Sequence, residues 1–243
     1  MKRLLAAGSG PIYQLAKVFR NGESGGRHNP EFSMLEWYRP GFDDHKLMDE
    51  VAALVQLTTG CGKSEKLSYR ELFLRHLEID PHSVSAEELQ DVARGALAFS
   101  ADLDSRDDWL NLLISHLIEP KLSIPTFIYD YPASQAALAK IDLDEHGTPV
   151  ARRFELYVNG IELANGYYEL TDAQEQARRF DADQHQRQQM GLQPLPVDEK
   201  LVAALRSGMP DCAGVALGVD RLLMLATDSG HIDEVLAFPL SRA

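Results

Sequence analysis

The sequence has 243 residues, of which 44% are hydrophobic and 25% charged, and its formal net charge is −13. This length suits one large domain or two small ones, and the acidic balance argues against an extended polyanion-binding surface. The two cysteines exclude a disulfide framework and a cysteine-rich zinc site, and no apolar run reaches the roughly 18 residues of a membrane span. The composition therefore predicts a soluble protein of the reducing cytoplasm.

The charge is unevenly distributed along the chain. The first 40 residues hold six basic and three acidic residues, a local charge of +3, so the remainder carries −16. A small basic region in an acidic body is a candidate site for an anion such as phosphate. Charge alone does not separate this interpretation from chance clustering.

The N-terminal segment predicts an antiparallel hairpin. Residues 11–20 and 31–39 are rich in aromatic and β-branched residues and are short enough to be strands. Between them, residues 21–30 contain glycines and a proline that predict a loop. Because loops of this length are uncommon and tend to be functional, we expect it to contribute to a site.

Helical patterns dominate the middle of the chain. Asp43 or Asp44 can cap a helix that ends near Gly60. Further helices are predicted at residues 68–77, 85–94 and 105–118. Residues 61–124 are therefore predicted to form a helical insertion.

Strands return in the C-terminal half. They are predicted at residues 125–131, 153–158 and 161–169, and Asn159-Gly160 is a strong hairpin signal between the last two. The remaining predicted elements are a helix capped by Thr171 with Gln174 and ending near Gly191, a helix at 198–207, a small-residue strand at 214–221 and a helix at 222–226. The pattern predicts an α+β fold, in which helices flank an antiparallel sheet.

The Asn-Gly hairpin brings two carboxylates together. A two-residue turn places Tyr157 opposite Glu162 and Glu155 opposite Ala164, so that Glu155 and Glu162 become diagonal neighbours on one face. Two carboxylates so close repel each other unless a cation or a proton lies between them. Mg²⁺ held by both carboxylates and by substrate phosphates fits this arrangement. The alternative is an exposed face on which both share an arginine such as Arg153.

Three further polar residues of the second strand have the opposite parity. Strict alternation would place Asn165, Tyr167 and Glu169 on the other face of the sheet from Glu162. A β-bulge at Gly166 would return them to the same cleft, and we predict one there.

Three sequence blocks occur in order along the chain. They are Phe19-Arg20-Asn21 with its loop and the following His28-Asn-Pro-Glu-Phe-Ser-Met-Leu-Glu36, then Glu162-Leu-Ala-Asn-Gly-Tyr-Tyr-Glu169, and Gly214-Val-Ala-Leu-Gly-Val-Asp-Arg221. They resemble motif 2, the lysyl substrate segment and motif 3 of class II aminoacyl-tRNA synthetases in their lysyl form. The resemblance covers most of the chain and implies the fold of that family's catalytic domain.

Other segments resemble a family of lysyl-tRNA synthetase paralogues, the ligases that attach (R)-β-lysine to elongation factor P. They are Glu36-Trp-Tyr-Arg-Pro40 and residues 132–138, 209–213 and 237–243. The resemblance implies activation of (R)-β-lysine by ATP as an adenylate and transfer to a lysine of elongation factor P, with tRNA not expected as a partner. The alternatives are a lysyl-tRNA synthetase fragment that charges tRNA and a non-catalytic synthetase-like binding module.

The resemblance also implies an ATP and Mg²⁺ site. Arg20, on the α-phosphate, and Arg221, on the γ-phosphate, would be catalytic, because negative charge builds there during the reaction. The residues that would contact ATP are Arg20, Asn21, Gly22, Glu23, His28, Asn29, Phe32, Glu162, Leu163, Gly218 and Arg221. Phe32 would stack on adenine, and Glu155 and Glu162 would bind the metal.

For the amino acid, the resemblance implies recognition by carboxylates and polar groups. The corresponding residues are Glu36, Tyr38, Asn165, Glu169 and Ala216, with Tyr38 and Glu169 toward the distal ammonium. Ala216 replaces a glycine of the lysyl-tRNA synthetases, and its methyl group would disfavour α-lysine relative to the β-amino isomer. The alternative is that Ala216 only packs.

Two departures from the family pattern stand out. Motif 2 usually reads Arg-x-Glu, whereas this chain has Arg20-Asn21-Gly22 followed by Glu23, so that either Glu23 serves or an adenine contact is lost. Full-length members form homodimers through motif 1, which would precede Met1. Residues 1–243 are thus expected to be one catalytic domain that lacks its N-terminal part.

Overall fold

A computed structural model describes residues 1–97 and 103–242 and shows one large sheet. Residues 98–102 of the predicted insertion and the last residue of the segment 237–243 lie outside the described chain. The described strands are β1 (Ile12–Phe19), β2 (Glu31–Pro40), β3 (Glu65–Ser68), β4 (Thr126–Pro132), β5 (Ile141–Leu143), β6 (Pro149–Val158), β7 (Ile161–Tyr168) and β8 (Cys212–Gly218). The sheet has the order β1-β2-β8-β7-β6-β4-β3, and β5 pairs with β6.

The strand pairing is antiparallel except at one edge. β3 and β4 pair in parallel, so the prediction of an antiparallel sheet holds for the centre but not for this edge. Neither β3 nor β5 was predicted, because segments of four and three residues are too short for a clear alternating pattern. The predicted α+β class is confirmed.

Helices flank this sheet. Those in the described chain are α1 (Lys2–Ala6), α2 (Asp44–Thr59), α3 (Tyr69–Leu77), α4 (Ala86–Ala96), α5 (Arg106–Leu113), α6 (Ala173–Gln189), α7 (Glu199–Ser207) and α8 (Val219–Thr227). The helix predicted at 105–118 ends its α-helical part at Leu113 and continues as the π-helical turn Ile114–Ile118. Pro120 lies in the short 3-10 turn that follows, and because it has no backbone N–H it cannot extend the helical hydrogen-bond pattern further. Among the described residues, no helix combines the length and apolar character needed to cross a membrane.

The structure shows which residues cap helices α2 and α6. Asp43 caps α2 and accepts a hydrogen bond from the backbone N–H of Lys46 at 2.8 Å, whereas Asp44 is fully buried and pairs with Arg152 at 2.7 Å. The cap of α6 is Asp172, not Thr171: the Asp172 carboxylate accepts from the N–H groups of residues 174 and 175. A carboxylate suits this position because it can satisfy two unpaired N–H groups.

Two hydrophobic clusters organise the fold. Helix α2 covers one face of the central strands, where its apolar side chains pack on Trp37, Phe154, Leu156, Val215 and Leu217. Residues 61–124 contain α3, α4 and α5, add β3 to the sheet edge, and pack around Tyr69, Phe73, Trp109 and Leu110 against β4. The opposite face of the central strands carries the polar residues.

The hairpin of β6 and β7 differs from its predicted register. Tyr157 pairs with Glu162 as expected, but Glu155 pairs with Asn165 instead of Ala164. The extra residue is Leu163, so the predicted bulge at Gly166 is wrong in position. The physical reason is packing: Leu163 and Ala164 are consecutive, yet both lie in the core under α2, which a regular strand would not allow.

Candidate active site

Cross-strand register aligns the polar residues in rows on one face of the sheet. The first row, across β2, β8, β7 and β6, is Glu36, Ala216, Asn165 and Glu155. The neighbouring row is Tyr38, Gly214, Tyr167 and Arg153. Residues from all three sequence blocks therefore meet on one surface. The bulge at Leu163 makes this possible, since it moves Asn165 and Tyr167 to the face that carries Glu162.

A cleft lies at one end of this face. The N-terminal hairpin, β7 and the junction of β8 with α8 supply its walls, including Arg20, Glu23, Arg27, His28, Asn29, Phe32, Glu162, Leu163, Asn165, Ala216, Gly218 and Arg221. Nearly all predicted ATP residues thus line one cavity. Asn21 and Gly22 lie outside its lining, in the hairpin loop, and Glu36, Tyr38, Glu155 and Glu169 lie elsewhere on the same face.

Arg20 lines this cleft and pairs with Glu23. Its Nη1 donates a hydrogen bond to Glu23 Oε2 at 3.1 Å, and both side chains are about half exposed. The guanidinium carbon lies 5.7 Å from the centre of the Phe32 ring, in cation–π contact. Gly22 between them has φ of +83°, where a glutamate would be strained. The backbone at this position therefore suits glycine, and the acidic residue that pairs with Arg20 is Glu23.

Arg221 also lines this cleft and is held by three hydrogen bonds. It projects from the first turn of α8, and its Nη1 donates to the carbonyl oxygen of Glu162 at 2.8 Å. Its Nε donates to the carbonyl of Arg27 at 3.3 Å, and its Nη2 lies 2.7 Å from Nε2 of His28. The preceding Asp220 is buried and accepts a hydrogen bond from the Ser33 N–H at 2.6 Å. These contacts hold the guanidinium in a defined orientation at the cleft.

Asn29 lines the cleft, and the polar atoms of its side chain form hydrogen bonds within the protein. Its side-chain amide donates to the carbonyl of Glu31 at 2.6 Å, and its Oδ1 accepts from the N–H of Leu240 at 3.0 Å. Asn29 therefore ties the hairpin loop to the C-terminal segment. Any contribution of this residue to ATP binding would act mainly through the shape of the loop.

The two candidate metal ligands differ in their surroundings. Glu155 is nearly buried and accepts hydrogen bonds from Tyr157 Oη at 2.7 Å and Asn165 Nδ2 at 3.2 Å, and Arg153 forms a salt bridge with it. Glu162 lies at the cleft wall, where partial burial and the negative charge of Glu155 raise its pKa to about 7. Both alternatives from the sequence are thus present together: the carboxylates share a face, and Arg153 pairs with one of them.

These residues fit a magnesium ion that phosphates help to bind. No group of three or more His, Cys, Asp and Glu side chains suited to a metal occurs in residues 1–97 and 103–242. Mg²⁺ needs only one or two carboxylates when phosphate oxygens and water complete its octahedron. In addition, Oδ1 of Asn165 is buried beside Glu155 and has no hydrogen-bond partner within the described chain. A cationic group would satisfy this acceptor.

A second group of polar side chains surrounds Gly214. Glu169 is 1% exposed, and its Oε2 lies 2.5 Å from Nζ of Lys2. A Cβ at position 214 would collide with the Tyr38 ring and with Oε1 of Glu169, so only glycine lets these two side chains meet over β8. Burial raises the pKa of Glu169, the Lys2 ammonium lowers it, and Glu36 raises it further. The structure thus brings Tyr38 and Glu169 together over Gly214.

Three residues of this surface were not among the site residues predicted from the sequence. Tyr157 bridges two acids, since its hydroxyl lies 2.7 Å from Glu155 and 3.2 Å from Glu119. Its parity with Glu155 could have indicated it. Glu119 and Lys2 gave no signal, because each reaches the site from an element far away in sequence. Burial raises the pKa of Glu119, which suits a carboxyl that approaches a second acid.

The chain matches known proteins of one family over its whole length. Residues 1–242 match the family model described as tRNA synthetases class II (D, K and N). The elongation factor P–(R)-β-lysine ligase of Proteus mirabilis is 55% identical, and the match covers 100% of this chain and 75% of that protein. Proteins of the same name from Photobacterium profundum and Vibrio cholerae are 54% and 55% identical, and the chain covers 76% of each. The chain therefore belongs to the class II tRNA synthetase family of the D, K and N type.

Proposed function

We propose that this protein is an ATP-dependent ligase that activates (R)-β-lysine as an adenylate and transfers it to a lysine side chain of elongation factor P. The observation that carries the proposal is the continuous polar face of β2, β8, β7 and β6, which joins the arginine-lined cleft to the Tyr38–Glu169 group. One end suits phosphates and the other suits an ammonium. The names of the relatives support the same substrates.

The first step is transfer of an adenylyl group. A carboxylate oxygen of (R)-β-lysine attacks the α-phosphorus of ATP, the bond from that phosphorus to the bridging oxygen breaks, and pyrophosphate leaves. Arg20 would exchange Glu23 for the α-phosphate and stabilise the charge that develops there. Arg221, at the N-terminal turn of α8, would bind the γ-phosphate. Phe32, on the cleft wall, would stack on the adenine.

Members of this family use ATP and Mg²⁺ in general. In this chain Glu155 and Glu162 would hold the ion, which when bound supplies positive charge that offsets the phosphate oxygens. The residues themselves orient the site: Tyr157 and Asn165 direct Glu155, and Arg221 keeps the backbone at Glu162 in place through its carbonyl oxygen.

The second step forms an amide. The neutral side-chain amine of the acceptor lysine attacks the carbonyl carbon of the adenylate, AMP leaves, and the amine loses a proton. We infer that the protein acts in the cytoplasm, where elongation factor P serves translation. The net charge of −13 counts against tRNA as the acceptor, since binding of a polyanion needs clustered basic residues.

We also infer a homodimer. Strand β1 forms an edge of the sheet, and its side chains Tyr13, Leu15 and Phe19 are 77%, 62% and 75% exposed. Apolar side chains on an edge strand are typical of surfaces that another chain covers. Light scattering coupled to size-exclusion chromatography measures the assembly directly.

An acceptor assay tests the proposed function. The protein is mixed with ATP, Mg²⁺ and (R)-β-lysine, and then with elongation factor P or with lysine tRNA, and the mass of each acceptor is measured. We expect elongation factor P to gain one β-lysyl group. A gain on the tRNA would instead support the lysyl-tRNA synthetase alternative, and absence of both adenylate and product would support the binding-module alternative.

A further inference from the structure

Lys2 reaches into the group of residues that surrounds Gly214. It lies on α1, where Leu5, three residues later on the same side of the helix, is 1% exposed and packs with Leu205 and Met209. This packing holds α1 against the protein and leaves the Lys2 side chain only 13% exposed. Its ammonium then lies 2.5 Å from Oε2 of Glu169.

The ion pair between Lys2 and Glu169 compensates the free-energy cost of burying a charged carboxylate. A carboxylate as deeply buried as Glu169 is strongly disfavoured in its charged form unless an opposite charge compensates it. The ionisable groups that face it are Lys2 of α1, Glu36 and Tyr38 of β2, Tyr167 of β7 and Cys212 of β8. Only Lys2 among them is basic. Removing the Lys2 charge would leave Glu169 beside a second acid, in low dielectric, with no basic group of the described residues among those that face it.

The two oxygens of Glu169 are directed to different sides. Oε2 is the atom near Lys2, whereas Oε1 lies over Gly214 next to the Tyr38 ring. Lys2 thus approaches one oxygen and leaves the other on the side of the substrate face. The local charges also balance: Glu36 and Glu169 contribute two negative charges, and Lys2 with one substrate ammonium would contribute two positive charges.

We infer that Lys2 is a positioning residue for substrate recognition, which keeps Glu169 ionised and turns its Oε1 toward the distal ammonium of (R)-β-lysine. This inference rests on the proposed function. It makes Lys2 an internal counter-ion that stays in place when substrate binds, not a lysine that competes for the substrate's position.

The experiment measures ATP–pyrophosphate exchange as a function of (R)-β-lysine, between about pH 6 and about pH 9, for the whole chain and its variants. In Lys2→Met we expect KM for (R)-β-lysine to rise by about tenfold or more near neutral pH, with kcat changed much less, because the defect lies in binding. The defect should shrink as pH rises, since Glu169 then ionises without help. Lys2→Arg, which keeps the charge, should restore most of the affinity.

Arg3→Met is the matched control, because it removes one positive charge from an exposed position of the same helix. It should leave KM and its pH profile unchanged. Lys2→Gln provides a second neutral variant with a polar side chain, should Lys2→Met lose its fold as judged by circular dichroism. The same rise in KM is expected for it.

The outcomes separate this inference from the proposed function. No exchange by the wild type with (R)-β-lysine would overturn the proposed function. An active wild type with an unchanged KM and pH profile in the neutral Lys2 variants would overturn the inference alone. A lower KM in those variants would also overturn it, because Lys2 would then compete with the substrate.

Discussion

Nη2 of Arg221 lies 2.7 Å from Nε2 of His28, although 193 positions separate the two residues in sequence. A guanidinium can only donate, so Nε2 of His28 must accept, and the imidazole is neutral with its proton on Nδ1. Burial and the positive charge of Arg221 both lower the pKa of His28. The pair therefore joins the N-terminal hairpin to α8 at the end of the cleft for which we propose phosphate binding.

Arg221→Ala should lower the rate of ATP–pyrophosphate exchange by about a hundredfold or more, because a fixed donor to developing phosphate charge is lost. The pKa of His28 should rise at the same time, since a nearby positive charge disappears. Exchange kinetics and an NMR titration of the histidine signals measure the two effects. Arg206→Ala, at an exposed site on α7, is the control. Near-normal exchange in Arg221→Ala would contradict the phosphate assignment.

Ala216→Gly should improve the use of α-lysine relative to (R)-β-lysine. Ala216 lies in the row between Glu36 and Asn165 and lines the cleft, so its methyl group faces the proposed substrate. One carbon in a pocket changes discrimination by about tenfold or somewhat more. The ratio of kcat/KM for the two isomers measures it. Ala213→Gly, buried on the opposite face of the same strand, should alter stability without altering the ratio. An unchanged ratio in Ala216→Gly would mean that the methyl group only packs.

The part of this site that could be predicted is the part set by local sequence signals. The Asn159-Gly160 turn predicts the facing of Tyr157 and Glu162, because a two-residue loop sets the register next to it. The turn does not predict the pairing beyond Glu162, where Glu155 lies opposite Asn165 and not opposite Ala164. The bulge at Leu163 depends on whether two consecutive apolar residues can both enter the core under α2, and this is a property of the folded molecule.

The contacts between distant elements could not be predicted in this way. Lys2 lies in a short basic segment, and nothing in its neighbours indicates that it meets Glu169. Glu119 likewise follows a helical pattern that gives no hint of Tyr157. The roles proposed for Arg20 and Arg221 rest on the family resemblance, whereas their contacts with Glu23 and His28 are visible only in three dimensions.

Glu162→Gln should raise the Mg²⁺ concentration that gives half-maximal exchange by about tenfold or more, because one of two carboxylates for the ion is lost. Excess Mg²⁺ should restore part of the rate. A titration of exchange against Mg²⁺ at fixed ATP measures the change. Glu199→Gln removes the same charge from an exposed position on α7 and serves as control. If the requirement for Mg²⁺ were the same in Glu162→Gln and in the wild type, the ion would have to bind elsewhere.

Gly166→Ala should lower the free energy of unfolding by about 1–3 kcal/mol, a typical cost of overpacking. Gly166 pairs with Phe154 across the hairpin, and an added Cβ would collide with the Phe154 ring. Because Phe154 is fully buried beside Phe127, the ring has little room to move away.

Gly95→Ala is the matched control for Gly166→Ala. Gly95 lies in α4, where a Cβ meets nothing within 4 Å, and the substitution should raise the free energy of unfolding by up to about 1 kcal/mol. Urea denaturation followed by circular dichroism distinguishes the opposite signs. A Gly166→Ala protein as stable as the wild type would show that Phe154 can repack, and that Gly166 is not required for close packing across this hairpin.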